Sequence, residues 1–246
     1  MFSYSSSDGN DVIYGFKEDS TLSISGDSYS TTKSGNDVIV TVNDGKITLQ
    51  GVASLEAVNI SGKEVLVNSW KLSGTTATYG SSSKTLATVS GVKSAKGFTL
   101  SDKKIKLATA SLSNKVSVSG SYAFEFASNY KNAKITGSSS SDTIISTGAN
   151  ITIKGGKGND SLTDGKGKDV FVYAQGDGND IITDYSPGID TVMILSGVTV
   201  GNPTASSSDV TFKVGTGQIT FKNSANKYIE LVDKVGNVLK QYNPNN

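Results

Sequence analysis

Three consecutive units rich in glycine and aspartate decide the fold: GGKGNDSLT at residues 155–163, DGKGKDVFV at 164–172 and QGDGNDIIT at 175–183. Six residues of each unit predict a tight turn, because glycine adopts positive φ and lets backbone carbonyls point inward without a clashing Cβ. The last three residues predict a short strand. Each unit should therefore form half a coil of a flattened β-solenoid.

Each unit carries an aspartate at its sixth position and an apolar residue at its eighth. The aspartates are Asp160, Asp169 and Asp180, and the apolar residues are Leu162, Phe171 and Ile182. Stacked turns would present carbonyls and carboxylates to one another, and calcium takes about six to eight oxygen ligands of this kind. Alternate units share an edge, so Asp160 and Asp180 should face one ion while Asp169 lies on the opposite edge. The apolar residues should point into the core.

The candidate metal ligands come from the turn glycines and from aspartates in or near these turns. They are Gly156, Gly158, Asp160, Gly165, Gly167, Asp169, Gly176, Gly178, Asp180, Asp190 and Asp11. Asp190 and its neighbour Asp184 either cap the roll through backbone hydrogen bonds or ligate an ion. Asp11 stands in a single unit, where an ordinary turn is the alternative, and Asp37 is interpreted as a turn residue.

Residues 155–183 resemble the RTX, or hemolysin-type, calcium-binding repeat, whose pattern is G-G-x-G-x-D-x-U-x with U a large apolar residue. The first unit matches every fixed position, and residues 182–190 resemble the segment that closes such rolls. The resemblance implies calcium-triggered folding outside the cell, secretion by a type I route and a lack of intrinsic catalysis.

The chain departs from that family in its charge and in its second unit. RTX regions are usually acidic, whereas this chain has a formal net charge of +1. Asp164 replaces the first glycine of the second unit, and Lys168 precedes Asp169, so we expect few ions. Residues 137–145 keep the strand and the aspartate but lose the glycines; they either pair with the turn at 155 or form a calcium-free rung.

The two ends of the chain repeat one module. The matched segments are 9–13 with 178–182, 37–40 with 209–212, and 45–49 with 217–221. Each copy contains a predicted hairpin, because alternating β-prone runs flank a tight turn such as Asp44-Gly45. Between the copies, short strands end on Gly120, Gly137 and Gly155, at the spacing of one solenoid coil.

These patterns predict an all-β protein, a parallel β-roll or β-solenoid with flanking antiparallel β-hairpin modules. The expected divisions are an N-terminal hairpin module at 1–65, solenoid-like repeats at 66–154, the calcium-binding roll at 155–190 and a C-terminal capping module at 191–246. The aromatic residues of 121–130 recur at a period of two, which predicts a strand whose rings fill the core.

The composition excludes several classes of function. Histidine and cysteine are absent, so the usual general bases, thiol nucleophiles, disulfides and thiolate metal sites are missing, and we expect no enzyme. All 23 basic residues are lysines and are dispersed, which argues against nucleic acid as a partner. The sequence has no apolar run of membrane-spanning length and no signal peptide. Repeat-like sequence follows Met1 almost directly, so we expect a fragment of a longer protein.

Three functions fit this sequence. The first is a structural or adhesive calcium-binding segment of a bacterial protein that is secreted or held at the cell surface. The second is the calcium-dependent secretion and folding module of a secreted enzyme whose catalytic domain lies elsewhere. The third is a module that binds carbohydrate or assembles with itself. Calcium is the expected cofactor in the first two, and a surface glycan or a second copy is the possible partner in the third.

Overall fold

The computed structural model describes residues 1–5, 8–17, 19–25, 28–52, 55, 57–66, 69–80, 85–101 and 104–245. The chain forms two compact units. The N-terminal unit contains residues 1–71 and 78–86, and the C-terminal unit contains residues 72–77 and 87–246. The four divisions expected from the sequence stay a proposal.

Residues 1–66 of the N-terminal unit, where described, form two four-stranded sheets. Their strands are β1 (Phe2–Tyr4), β2 (Asn10–Ile13), β3 (Thr21–Ile24), β4 (Tyr29–Ser34), β5 (Asp37–Val42), β6 (Gly45–Leu49), β7 (Ala57–Ile60) and β8 (Lys63–Leu66). One sheet has the order β1-β3-β7-β8 and the other β2-β6-β5-β4. The pairs β1–β3, β3–β7 and β2–β6 are parallel, and the remaining pairs of the two sheets are antiparallel. The buried core includes Leu22, Val40 and Ile47.

Three further strands contain residues of both units: β9 (Ser69–Ser73), β10 (Thr76–Gly80) and β11 (Thr85–Val92). The C-terminal unit then continues through β12 (Thr99–Ser101), β13 (Lys104–Leu107), a 3-10 turn at Thr109–Ser111, β14 (Leu112–Gly120), β15 (Ala123–Phe126), β16 (Lys134–Thr136), β17 (Thr143–Ser146), β18 (Thr152–Lys154), β19 (Ser161–Thr163), β20 (Val170–Tyr173), β21 (Asn179–Ile182), β22 (Thr191–Ile194), β23 (Val200–Ala205), β24 (Val210–Val214), β25 (Gly217–Phe221), β26 (Ile229–Val232) and β27 (Val238–Tyr242).

Successive strands of the C-terminal unit alternate between two parallel stacks, which makes a β-roll. One stack runs β14-β16-β18-β20-β22-β26 and the other β13-β15-β17-β19-β21-β25. Antiparallel partners flank both stacks: β11 and β12 at one end, and β27, β24 and β23 at the other. The expected solenoid segment, 66–154, therefore includes antiparallel pairs at its start. The all-β prediction of a parallel roll with antiparallel flanks is confirmed.

Side chains alternate in direction along each strand, so the inward-facing apolar residues of successive coils stack in rows inside the roll. In one stack the buried, directly paired residues are Phe124, Ile144, Leu162, Ile182 and Phe221. In the other they are Val116, Ile135, Ile153, Phe171, Val192 and Leu231. Leu162, Phe171 and Ile182 thus point inward as the sequence predicted, and the rings of Tyr122, Phe124, Phe126 and Tyr130 are buried.

The duplicated modules share one topology. β2-β6-β5-β4 repeats the pairing directions of β21-β25-β24-β23, and β1-β3-β7-β8 repeats those of β20-β22-β26-β27. Both predicted hairpins form, with Val42 opposite Gly45 in the first and Val214 opposite Gly217 in the second.

Candidate metal centre

The turns between strands bring neighbouring coils into close backbone contact. The turn glycines all have positive φ: Gly156, Gly158, Gly165, Gly167, Gly176 and Gly178. A Cβ on Gly178 would collide with the carbonyl oxygen of Gly158, and one on Gly156 with that of Ser138. Glycine is required at these two positions because the turn of the adjacent coil leaves no room for a side chain. The backbones of these stacked turns are therefore in close contact.

One edge of the roll, called the first edge, is formed by the turns that contain Asp142, Asp160 and Asp180. Aspartates on this edge accept hydrogen bonds from backbone N–H groups. Asp160 Oδ1 accepts the backbone N–H of Asp142 at 2.7 Å, and Asp180 Oδ1 accepts that of Asp160 at 3.0 Å. Asp177 Oδ2 accepts the N–H of Ala174 at 2.7 Å. Asp160 and Asp180 therefore lie on one edge. Asp142 stacks on the same edge, so the glycine-poor unit 137–145 pairs with the turn at 155.

Some carboxylate oxygens on this edge are buried without a hydrogen-bond donor. Asp160 and Asp180 are 1% and 4% exposed. Asp160 Oδ2 and Asp142 Oδ1 are buried and have no hydrogen-bond partner within the described part of the chain. Burial, reinforced by neighbouring carboxylates, raises the pKa of Asp160 to about 6 and that of Asp180 to about 8. A cation at this edge would relieve both effects.

The second edge carries the tightest acidic cluster of the described residues. Carboxylate oxygens of Asp164, Asp169 and Asp190 lie within 4.8 Å of one another. Asp190 Oδ1 accepts the N–H of Asp169 at 3.3 Å, and its Oδ2 accepts that of Ser186 at 2.8 Å. Asp184 accepts the N–H groups of Asp164 and the next residue at 3.2 and 3.0 Å. Asp190 and Asp184 thus both cap backbone, and Asp190 also joins the cluster.

Asp164 is the residue that most requires a positive partner. It is 1% exposed, and neither of its carboxylate oxygens meets a hydrogen-bond donor among the residues that the structure describes. Its pKa is raised, first by burial and then by the charges of Asp184, Asp190 and Asp169. Asp169 Oδ2 is buried without a donor in the same described set. Asp164 and Asp169 thus present three buried carboxylate oxygens without a donor beside the carboxylate of Asp190, and such oxygens are hard ligands of the type that calcium prefers.

Both edges therefore fit a calcium ion, and the second edge fits it better because it offers more unsatisfied carboxylate oxygens. The residues that would hold it are Asp164, Asp169, Asp184 and Asp190 there, and Asp142, Asp160, Asp177 and Asp180 on the first edge. When bound, calcium would supply the positive charge that these carboxylates lack. Four of them, Asp160, Asp180, Asp184 and Asp190, also hold neighbouring coils in register by accepting backbone N–H groups.

Sequence reasoning missed Asp164 and Asp177 as candidates. Asp164 was interpreted as a departure because it replaces the first glycine of its unit. The signal that could have found it is its separation of 20 residues from Asp184, the same offset that pairs Leu162 with Ile182. Lys168, whose place beside Asp169 is one reason to expect few ions, is exposed.

Asp11 lies in a different environment from its counterpart. It occupies the place of Asp180 in the duplicated module, yet its side chain is exposed. Asp37, in contrast, accepts the backbone N–H of Gly51 at 2.8 Å, in keeping with its interpretation as a turn residue.

The fold and site thus define a parallel β-roll with acidic turn edges. Residues 152–182 match the RTX calcium-binding nonapeptide repeat in four copies, so this part of the chain consists of calcium-binding repeats. No curated protein sequence matches the chain significantly. Among the described residues, no helix is long and apolar enough to cross a membrane.

Among solved structures, the chain is similar to the extracellular lipase LipA from Serratia marcescens. The two share 15% identity with a TM-score of 0.33, and the similarity covers 88% of this chain and 32% of the lipase chain. The chain therefore spans about a third of that lipase's length. A likeness this distant carries no argument about function.

Proposed function

We propose that this chain is a non-catalytic calcium-binding β-roll segment of a secreted or cell-surface bacterial protein, in which calcium completes the fold. The observation that carries the proposal is the set of buried carboxylates that face one another across stacked turns. Asp164, with two buried oxygens and no donor within the described residues, is its centre. Composition supports a structural role, since histidine and cysteine are absent.

Calcium would act on folding because its ligands come together only in the native roll. In the unfolded chain the aspartates are dispersed and hydrated, so an ion that binds the native state stabilises it by mass action. Without calcium, repulsion and burial of the same carboxylates oppose stacking of the coils. Such a module would fold where calcium is abundant, which supports an extracellular location.

The test is a calcium titration of the metal-stripped chain, followed by calorimetry and thermal unfolding. Calcium at about one hundred times its Kd should stabilise the chain by about 2.7 kcal/mol per site. Asp164→Asn and Asp180→Asn should each remove most of the response at one edge, because each takes away a buried carboxylate charge.

Asp11→Asn is the matched control, since Asp11 occupies the same motif as Asp180 but is exposed. It should leave the calcium response unchanged. The proposal fails if the stripped chain gains no stability from calcium, or if the three variants respond alike.

A further inference from the structure

One face of the N-terminal unit, called the open face, is formed by Phe2–Tyr4 and Asn10–Ile13 and has no covering strands in the described part of the chain. The corresponding face of the C-terminal unit is covered by further strands. Within the described residues, β1 and β2 are the end strands of their sheets and each pairs on one side only. The corresponding strands of the C-terminal unit, β20 and β21, pair on both sides. Their additional neighbours are β18 and β19, which belong to a calcium-binding coil.

The two faces match in local detail as well as in topology. Tyr4 donates its hydroxyl to the carbonyl oxygen of Gly9 at 2.5 Å, and Tyr173 donates to that of Gly178 at the same distance. Asp8 accepts the N–H of Ser5 at 2.7 Å, as Asp177 accepts that of Ala174. These two contacts, which follow the first strand, are therefore common to both modules.

In the C-terminal unit, the covering coil binds through backbone and carboxylate groups. The N–H groups of Ile181 and Thr183 donate to the carbonyl oxygens of Asp160 and Leu162 at 2.8 and 3.0 Å. Asp160 in turn donates its N–H to Asp180 Oδ1. On the open face, Val12 and Tyr14 correspond to Ile181 and Thr183, and Asp11 corresponds to Asp180.

The open face also exposes apolar surface that the covered face buries. Phe171 and Ile182 are each 2% exposed, whereas their counterparts Phe2 and Ile13 are only half-buried. Tyr14 is 70% exposed. A cleft of about 420 Å³ lies along these strands, with the buried side chains of Leu22 and Ile47 among its lining.

We propose that this open face, Phe2–Tyr4 with Asn10–Ile13, binds a calcium-loaded RTX coil in parallel register, as residues 151–169 cover β20 and β21. The incoming strands extend both sheets, and an incoming turn donates an N–H to Asp11. An added strand pair satisfies edge backbone groups and buries the half-exposed core. The occupant is not a second copy of this chain, because the coils that contain β15 to β22 are stacked on both sides.

The inference rests on the proposed function only in requiring the coil to be loaded with calcium. The test joins a second copy of residues 134–169 directly ahead of Met1 of the full chain, which reproduces the spacing found before Val170. Hydrogen exchange in calcium should slow at residues 2–4 and 10–14 by about tenfold or more relative to the chain without the extension. A matched extension with lysine at the added counterparts of Ile153 and Leu162 should give no such protection.

Protection of residues 152–182 by calcium, measured in the same samples, reports on the proposed function separately. If those residues are protected while residues 2–4 and 10–14 exchange equally with and without the extension, the docking inference is wrong and the calcium roll stands. Protection of the open face that appears in the unextended chain and grows with protein concentration would also overturn it, in favour of self-association.

Discussion

Single residues in the turns determine how closely the coils of the roll approach. Gly176 and Gly178 lie in one turn and both have positive φ, at 80° and 105°. A Cβ at Gly176 meets nothing within 4 Å, whereas one at Gly178 collides with the backbone of Gly158. Positive φ and close stacking are therefore separate requirements, and this turn contains an example of each.

We predict that Gly178→Ala destabilises the chain far more than Gly176→Ala. Gly176→Ala should lower the free energy of unfolding by about 1–2 kcal/mol, from backbone strain alone. Gly178→Ala should lower it by about 2–4 kcal/mol, because the coils must also move apart. Chemical denaturation in calcium measures both values. Equal losses would show that the close approach is not maintained in solution.

Asp164→Asn should change stability in opposite directions with and without calcium. In chelator at pH 8 it should stabilise the chain by about 1–3 kcal/mol, because folding of the unchanged chain must either bury the charge of Asp164 or bind a proton there, and asparagine avoids both. In saturating calcium it should destabilise the chain, because a ligand is lost. Thermal unfolding in the two conditions measures the sign. Destabilisation in both would assign Asp164 a purely structural role.

At the scale of elements, short strands gain their stability from alternation and stacking. β21 holds only four residues, with Ile181 outward and Ile182 inward. An isolated strand of this length is unstable, so its place depends on the rungs above and below it. The interior row, in which Ile182 lies between Leu162 and Phe221, supplies that support.

We predict that Ile182→Ala and Ile181→Ala, the same change at adjacent positions, differ strongly. Ile182 is 2% exposed, so its truncation should lower the free energy of unfolding by about 2–5 kcal/mol. Ile181 is 38% exposed and should lose less than about 1 kcal/mol. Denaturant unfolding provides the measurement. A reversed order would mean that β21 is shifted by one residue in register.

At the scale of the whole molecule, the two acidic edges couple folding to calcium and to pH. The folded-state pKa values of about 6 for Asp160 and about 8 for Asp180 lie above the ordinary value of 3.8. The native state therefore holds protons that the unfolded chain has already lost across this range. Stability from these groups is complete below about pH 4 and is lost as the pH rises through 6 to 8.

The metal-free chain should accordingly become less stable between about pH 4 and pH 8, while calcium should bind more tightly over the same window because it replaces those protons. Thermal unfolding at several pH values, in chelator and in calcium, tests both trends. Asp160→Asn with Asp180→Asn should make the metal-free profile shallower, and the raised pKa of Asp164 on the second edge should leave a residual slope. A metal-free chain whose stability rises through this window would contradict the assignment of buried, proton-holding carboxylates.

The sequence by itself determined the all-β class, the inward positions of Leu162, Phe171 and Ile182, the duplicated module and its hairpins. These features follow from local rules, since the turns depend on where glycine stands and the inward positions depend on the alternation of side chains along a strand, and both involve only a few neighbouring residues. Only the tertiary structure brought Asp164 beside Asp184 and Asp190 and left Phe2 half-buried where Phe171 is covered. Which carboxylates meet, and which face stays open, depends on how coils 18 to 39 residues apart stack, and that information is not local.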